Sequence, residues 1–243
     1  MGSFPVWTYW EGVMPEWIRL TLGTITSHAE IHKHIDPEQF DSLWDCDRDI
    51  KISSLYVAHR ADFIRAFLLW RYGGLWIDAD CIVLKPLAQI IEPLMNIDFA
   101  VFSHANGRLG NSFIYAAPDS HVAAAYFERV KLLLRCGGKR TWRSLGGDAI
   151  ERAIESSDRK VHFFPQHLIQ PIMWHEPLRY FVVARESRHA ARFQKSAICY
   201  MLSNHAIKKY RRKDPDADLT RDGSFFNYLV AQASVAGRDS APM

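Results

Sequence analysis

Two carboxylates one residue apart, Asp78 and Asp80, are the residues of this chain best suited to hold a metal ion. They interrupt an apolar run that extends from Leu75 to Leu84. Burying an ionised carboxylate there costs several kcal/mol unless it is paired or bound to a metal. In an extended strand the two side chains would project to one side, about 6.6 Å apart. Carboxylate oxygens favour Mg²⁺ or Mn²⁺, and these ions share phosphate oxygens. The doublet therefore predicts a divalent cation site for a diphosphate ligand.

Other acidic doublets of the same spacing stand in a different context. They lie in polar, turn-forming segments, where aspartate commonly faces water or caps a helix. We therefore expect a solvated structural role for all of them: Asp45 and Asp47, Asp47 and Asp49, Asp214 and Asp216, and Asp216 and Asp218.

A second candidate pair, Asp62 and Arg65, is three residues apart and so shares one face of a predicted helix. Periodicity alone favours an intrahelical ion pair worth a few tenths of a kcal/mol. The alternative is ligand binding, because the planar donor fork of Arg65 suits sugar hydroxyls or phosphate and Asp62 can accept from two hydroxyls.

The order of motifs around these pairs resembles a known family. Segment 58–65 (AHRADFIR) is followed by segment 70–80 (WRYGGLWIDAD) and by Leu84-Lys85-Pro86-Leu87. This order closely resembles the signature of retaining glycosyltransferase family 32, a DXD-containing sugar-transferase family that includes capsular polysaccharide enzymes and outer-chain mannosyltransferases. The opening Trp7-Thr8-Tyr9-Trp10-Glu11-Gly12 is similar to the family's first strand and loop. Two departures are Ala61, where members often carry serine, and the lack of an intact His-x-x-Ser-Trp-like ending.

The resemblance implies a GT-A-like fold, a nucleotide-sugar donor and a divalent cation, Mn²⁺ or Mg²⁺. It implies that Asp62 and Arg65 contact the donor sugar and that Asp80 binds the metal. Asp78 would contact ribose or sugar hydroxyls and is also a candidate metal ligand. An aromatic residue of the first strand, Trp7, Tyr9 or Trp10, would stack on the base.

Three weaker candidates each have an ordinary structural alternative. Asn111 would face the donor sugar, as in the family, or is a turn residue. Asp148, in Leu145-Gly146-Gly147-Asp148, would orient an acceptor hydroxyl or cap a helix. His205 would contact the metal or a phosphate, although a lone histidine is more often a satisfied structural residue.

The elements that must position these residues alternate between strands and helices. Apolar periodicity predicts strands at residues 6–10, 29–35, 75–84, 98–103, 112–117, 161–164 and 180–184, and helices at residues 15–27, 58–72, 119–135 and 147–155. Gly73 and Gly74 would end the second of these helices. The pattern predicts an α/β protein with a largely parallel sheet flanked by helices. We expect one domain over residues 1–235 and a frayed tail over 236–243.

Composition excludes several classes of protein. Apolar residues make up 48% and charged residues 23% of the 243 residues, which is typical of globular chains and excludes collagen-like, disordered and coiled-coil classes. The net charge of +3 is too small to indicate a nucleic-acid partner. No segment resembles a membrane span or a secretory signal, so we expect a cytoplasmic location. The basic run Lys208, Lys209, Arg211, Arg212 and Lys213 is expected to be a solvated face, or a contact with the inner face of an anionic membrane.

The predicted function is metal-dependent, retaining transfer of a hexosyl unit from a UDP- or GDP-sugar to a saccharide or glycolipid acceptor, in capsule or other surface polysaccharide synthesis. Two alternatives remain open at this stage. One is a metal-dependent hydrolase of nucleotide-sugar diphosphates, and the other is a non-catalytic module that binds glycans or nucleotide sugars.

Overall fold

The computed structural model describes residues 3–47, 49–137 and 140–238. The strands are β1 (Pro5–Tyr9), β2 (Ile31–Ile35), β3 (Gly74–Ile77), β4 (Cys81–Val83), β5 (Phe99–Ser103), β6 (Leu109–Ala116), β7 (Val161–Pro165) and β8 (Cys199–Met201). The helices are α1 (Glu16–His28), α2 (Pro37–Leu43), α3 (Val57–Tyr72), α4 (Leu87–Ile91), α5 (His121–Arg135), α6 (Gly147–Glu155), α7 (Gln166–Ile169), α8 (Leu178–Phe181), α9 (Glu186–Ala190), α10 (Asn204–Arg211) and α11 (Phe225–Arg238).

The chain divides into two compact units. The first consists of the segments up to Gly12, Ile31–Ile77 and Ile91–Pro165, and the second of Val13–Glu30, Asp78–Ile90 and the chain from Gln166 onward. The single domain over residues 1–235 stays a prediction. Part of the predicted tail, residues 239–243, lies outside the described residues.

The first unit contains a six-stranded sheet with the order β2-β1-β3-β6-β5-β7. Strands β2, β1 and β3 are parallel to one another, as are β5 and β7, whereas β6 runs antiparallel to both β3 and β5. The predicted α/β class with a largely parallel sheet flanked by helices is confirmed. Because Ile77 pairs with Phe113, the start of β6 extends past the carboxyl end of β3. We call this side of the sheet, where β1 and β3 end and β6 begins, the carboxyl edge.

Alternate residues of the sheet form the core of the first unit. Trp7, Trp76, Val101 and Ile114 point to one face and pack with the apolar side chains of α3, α5 and α6. Every residue from Asp62 to Leu69 is buried, so α3 lies in the interior of this unit. The helix therefore carries even its charged residues at positions 62 and 65 into the core.

The turn from α3 into β3 requires glycine. Gly73 and Gly74 adopt positive φ angles of 62° and 94°. A Cβ atom on Gly74 would also lie 2.4 Å from the Pro5 carbonyl oxygen on β1. The predicted glycine stop of this helix is confirmed, and the same dipeptide allows β3 to pair closely with β1.

The second unit contains the short antiparallel pair of β4 and β8, in which Cys81 lies opposite Met201. The predicted strand over residues 180–184 is wrong, because Pro177 begins the short helix α8 and only Val183 makes an isolated bridge, to Ser224. Within the described part of the chain, no helix is both long enough and apolar enough to cross a bilayer.

Candidate active site

A buried charged cluster forms on the interior face of α3. Asp62 is 4% and Arg65 3% exposed, and Arg65 Nη1 donates to Asp62 Oδ1 at 2.5 Å. The Arg65 guanidinium also lies over the Trp76 ring, 4.8 Å from its centroid. The ion pair expected from the spacing is present, but it is buried rather than solvated. Removing one partner of a pair in this environment costs far more than the few tenths of a kcal/mol that apply to an exposed pair, because the other charge is left buried and unpaired.

Asn111 joins this cluster from β6. Its Nδ2 donates to the same Asp62 Oδ1 atom at 2.8 Å. The alternative interpretation of Asn111 as a turn residue is wrong, because it lies inside the strand. Two donors therefore converge on one oxygen and fix the orientation of the Asp62 carboxylate at the carboxyl edge, where ligands of open α/β sheets usually bind.

The backbone of Gly146 closes against the same cluster. A Cβ atom at this position would lie 2.1 Å from Asn111 Nδ2 and 3.2 Å from Asp62 Oδ1. Only glycine therefore fits without displacing the Asn111 amide from its hydrogen bond. The segment that contains Asp148, residues 145–148, thus contacts the cluster directly through Gly146.

Asp148 lies farther out, in the first turn of α6. Its carboxylate is 49% exposed and accepts from Arg143 Nε at 2.8 Å. The N-cap interpretation is wrong, because Gly146 occupies the cap and no side chain caps it. Arg143 also donates to Glu151 at 2.8 Å and to the Leu109 carbonyl oxygen at 3.2 Å. Arg143 and Glu151 stand in no recognisable sequence motif, so neither was predicted as a site residue.

The three aromatic residues of the first strand occupy different environments. Trp7 belongs to the core and donates through Nε1 to the Gly73 carbonyl oxygen at 2.8 Å. The Tyr9 hydroxyl donates to Glu11 Oε2 at 2.5 Å, and burial together with this carboxylate raises the pKa of Tyr9. Trp10 follows the end of β1 and is half-buried. Tyr9 ends β1 and Trp10 follows it, so both lie at the carboxyl edge, and Trp10 is the more exposed of the two.

An ion pair that no sequence motif predicts connects the segment after β1 with the start of α3. Arg60 Nη1 donates to Glu11 Oε2 at 2.7 Å. The same guanidinium donates to the carbonyl oxygens of Ser53 and Leu55 at 2.9 and 3.0 Å. The first turn of α3 is thereby held at the carboxyl edge.

In the second unit the acidic doublet forms a turn. The predicted continuous strand over residues 75–84 is wrong: β3 ends at Ile77, β4 begins at Cys81, and the Cys81 N–H donates to the Asp78 carbonyl oxygen at 3.1 Å. The extended spacing of about 6.6 Å therefore does not apply to the two carboxylates. Both are half-buried, since the turn brings them partly out of the apolar surroundings of their neighbours.

Asp80 contacts the amino end of α10. The Asn204 N–H donates to Asp80 Oδ2 at 2.8 Å, and the Leu202 N–H donates to the Asp80 carbonyl oxygen at 3.0 Å. The amino end of a helix favours a negative charge placed next to it, such as that of an aspartate. His205 is the next residue of α10 and is exposed. The second unit therefore places Asp80 beside the Ser203-Asn204-His205 segment.

The donors at this turn fit a hard divalent cation. Asn204 Oδ1 is buried and has no hydrogen-bond partner among the described residues. Amide oxygens and carboxylates are both ligands that Mg²⁺ and Mn²⁺ accept. In the same described residues, no three His, Cys, Asp or Glu side chains are grouped as a metal site. The fit to a cation thus depends on Asp80 and Asn204, whereas the residue predicted from the sequence was His205, the neighbour of Asn204.

Part of the chain matches the model of a known family. Residues 13–96 match the model described as a glycosyltransferase sugar-binding region containing a DXD motif. The match covers about a third of the chain. It includes Asp62, Arg65, Asp78 and Asp80. Trp10, Asn111, Asp148 and His205 lie outside it.

A curated relative and two solved structures are also similar to the chain. The chain is 29% identical over 113 residues to the O-glycosyltransferase PaGT of Phomopsis amygdali, covering 42% of this chain. It spans only 27% of the length of that relative. A glycosyltransferase involved in glycosylation of the major capsid of PBCV-1 aligns over 88% of this chain and 98% of its own, with 11% identity and a TM-score of 0.48. The galactosyltransferase LgtC aligns over 95% of both chains, with 9% identity and a TM-score of 0.47. The family model and the curated relative thus both show similarity to glycosyltransferases over part of the chain.

Proposed function

We propose that the chain is a metal-dependent glycosyltransferase with a GT-A-like fold. It transfers a hexosyl unit from a UDP- or GDP-sugar to a saccharide or glycolipid acceptor, with retention of configuration as in glycosyltransferase family 32. The DXD match over residues 13–96 and the similarity to PaGT support sugar transfer. The observation that carries the proposal is the hydrogen bond from the Asn204 N–H to Asp80 Oδ2, donated by a residue whose own amide oxygen is buried and has no hydrogen-bond partner among the described residues.

Asp80 and Asn204 are proposed to hold Mn²⁺ or Mg²⁺, with Asp78 and His205 as further candidate ligands. A divalent cation supplies charge stabilisation to the departing nucleotide diphosphate. The Asn204 N–H keeps Asp80 Oδ2 in place, and the helix terminus favours the ionised carboxylate. Asp80 would therefore be oriented before any ligand arrives.

Asp62 and Arg65 are proposed to bind the donor sugar. Arg65 and Asn111 both donate to Asp62 Oδ1, which sets the plane of the carboxylate. Stacking of the Arg65 guanidinium on Trp76 limits its motion. A rigid carboxylate of this kind positions sugar hydroxyls at low entropic cost. Asn111 would contact the same sugar, and Trp10 would stack on the base.

Asp148 is proposed to act on the acceptor side. Its exposed carboxylate is held by Arg143, which also donates to Glu151 and to the backbone at the start of β6. An exposed, oriented carboxylate can accept a hydrogen bond from an acceptor hydroxyl. No covalent intermediate is proposed.

The proposed setting is surface polysaccharide synthesis, such as capsule assembly, at the cytoplasmic face of a membrane. The five basic residues of the run at the end of α10 are all exposed: Lys208, Lys209, Arg211, Arg212 and Lys213. Basic residues near anionic lipid each contribute about 1 kcal/mol. This run would bring the protein to a lipid-linked acceptor.

The test is a panel of UDP- and GDP-sugars incubated with the protein and Mn²⁺ or Mg²⁺. We expect slow release of free sugar from one donor, and EDTA should abolish it. Asp80→Asn should reduce metal-dependent release about 100-fold, as for loss of one preorganised electrostatic contact. Asp216→Asn is the matched control, since it changes an exposed aspartate in a doublet of the same spacing.

Three outcomes would contradict the proposal. Wild-type release in Asp80→Asn would refute the metal role of this residue. Cleavage of nucleotide diphosphates that lack a sugar would indicate a hydrolase. Binding of a nucleotide sugar without turnover, with or without added saccharides, would indicate a non-catalytic module.

A further inference from the structure

Two large aromatic side chains stand side by side on the surface of the first unit. Tyr56 is 60% and Trp142 58% exposed. Their ring centroids are 6.0 Å apart, and the ring planes are tilted by 57°. We call this pair the aromatic platform. Exposed aromatic residues that lie side by side can indicate a binding site, because covering their apolar faces with a ligand is energetically favourable.

Each residue of the platform belongs to a backbone segment that is fixed by hydrogen bonds. Tyr56 is the N-cap residue of α3, and Trp142 lies in the loop that precedes α6. His59 connects the two segments, because its Nε2 donates to the Thr141 carbonyl oxygen at 3.1 Å and its ring lies 6.5 Å from that of Tyr56. The Thr141 N–H also donates to Ser144 Oγ at 2.8 Å. The two rings are therefore preorganised rather than carried by a long unsupported loop.

The same two segments lead to the buried polar cluster. Asp62 follows Tyr56 by six residues on α3, a rise of about 9 Å along the helix axis. Gly146 follows Trp142 by four residues and packs on Asn111 and Asp62. The platform thus lies less than two helical turns from the cluster proposed to hold the donor sugar, toward the amino end of α3.

The chemistry of the platform fits a hexopyranose ring. One face of such a ring presents C–H bonds that pack on an aromatic face, while its hydroxyls remain at the periphery for polar groups such as His59. Tyrosine and tryptophan provide this contact at low entropic cost. A stable protein partner would need about 800 Å² on each side. Two rings and the exposed Val57 beside them are too small for that.

We infer that Tyr56 and Trp142 form a stacking platform for a hexopyranose ring of the acceptor saccharide. This inference rests on the proposed function, because the acceptor side is defined by placing the donor sugar at Asp62. A sugar on the platform would extend away from that cluster. The platform would therefore contribute to acceptor selection rather than to the bond-breaking step.

The test follows the indole N–H signals of the eight tryptophans by NMR. Trp142→Phe and Trp174→Phe assign two of them. The probes are lactose, maltotriose and mannotriose, and separately UDP-glucose and GDP-mannose. We expect at least one oligosaccharide to shift the Trp142 signal. The Trp174 signal should stay in place, since that residue is 55% exposed in the second unit and serves as the matched control.

Variants of Tyr56 separate stacking from structure. Tyr56→Ala should weaken binding of that oligosaccharide about fivefold, corresponding to about 1 kcal/mol of aromatic contact. Tyr56→Phe should bind within about twofold of the wild type, because it keeps the ring. Equal affinity of wild type and Tyr56→Ala would overturn the inference. So would a Trp142 signal that responds to none of the oligosaccharides, or only to the nucleotide sugars.

Failure of the inference can be distinguished from failure of the proposed function. Donor hydrolysis is measured separately on the wild-type protein. Sugar release with a silent Trp142 signal would refute the platform and leave the transferase standing. A responding Trp142 signal without release from any donor would refute the transferase and leave the platform as a saccharide site.

Discussion

The two acidic motifs of this chain are buried to different extents, and the order is the reverse of the one that their sequence contexts predict. Asp78 and Asp80 stand in the apolar sequence, yet both are half-buried in a turn. Asp62 belongs to a helix with polar neighbours at its amino end, yet it is 4% exposed and paired with an equally buried Arg65. Apolar neighbours thus predict the burial of the flanking strands, but the local backbone decides where the carboxylates point.

This difference separates a structural requirement from a ligand requirement. The Asp62 carboxylate neutralises an arginine that cannot reach water, so removing it leaves an uncompensated buried charge. Asp80 accepts from the backbone of α10 in a half-buried position, where water can replace a lost partner. We expect the first to dominate stability and the second to dominate metal-dependent chemistry.

The largest expected effect on stability is that of Asp62→Ala. Removing one partner of a buried ion pair costs about 3–5 kcal/mol. Urea denaturation should therefore show this decrease in the free energy of unfolding. Asp62→Leu combined with Arg65→Met should cost less than Asp62→Ala alone, because no buried charge remains.

The control for this prediction is the pair of Arg152 and Glu155, which has the same i,i+3 spacing on α6 but is exposed. Glu155→Ala should change stability by less than about 0.5 kcal/mol. Similar losses in Asp62→Ala and Glu155→Ala would show that burial does not distinguish the two pairs.

Gly146→Ala tests the cluster from its other side. Its Cβ would occupy the position of the Asn111 amide, so the Asn111 to Asp62 hydrogen bond must break or the loop must shift. We expect a loss of about 1–3 kcal/mol in urea denaturation. Gly23→Ala is the matched control, since nothing lies within 4 Å of its Cβ and α1 gains helix propensity. A neutral Gly146→Ala would mean that the loop does not support Asp62.

Local patterns predicted the elements on which both motifs depend. The helix predicted over 58–72 is observed over Val57–Tyr72, because apolar periodicity marks its length and Gly73 marks its end. The strands around Ile77 and Cys81 were predicted as one, since apolar composition carries no information about a turn held by a single backbone hydrogen bond.

Local sequence patterns could not predict the contacts between residues that are distant in sequence. Asn111 is 49 residues from Asp62, and Asn204 is 124 residues from Asp80. Each becomes a neighbour only through the pairing of strands, β3 with β6 and β4 with β8. The motifs therefore identified the acidic residues, whereas the side chains that orient them required the three-dimensional structure.

The stability comparison between the two acidic motifs also depends on pH, because a histidine cluster in the first unit titrates under acid conditions. Thr8 Oγ1 lies 2.9 Å from both His32 Nε2 and His34 Nδ1. Burial and the neighbouring His34 lower the pKa of His32 from 6.5 to about 4. Between these values the unfolded chain binds a proton that the folded chain does not, so stability decreases as the pH falls.

We expect this decrease to be about 1–2 kcal/mol after allowing for the partial exposure of His32. His32→Gln should flatten the dependence of the unfolding free energy on pH below about 6.5. An unchanged slope in this variant would assign the acid sensitivity to other groups. The Asp62→Ala comparison is best made above about pH 7, where His32 is neutral in both states.

The smallest expected change in stability is that of Asp80→Asn. An asparagine oxygen still accepts from the Asn204 N–H, and the helix terminus loses only a favourable charge, so the cost without metal should be about 0.5 kcal/mol. Added Mn²⁺ at 100 times its dissociation constant should stabilise the wild type by about 2.7 kcal/mol and Asp80→Asn much less. A large loss without metal, comparable to that of Asp62→Ala, would make Asp80 a structural residue. Equal stabilisation of both proteins by Mn²⁺ would place the cation elsewhere, and the contrast between the two acidic motifs would then no longer separate folding from chemistry.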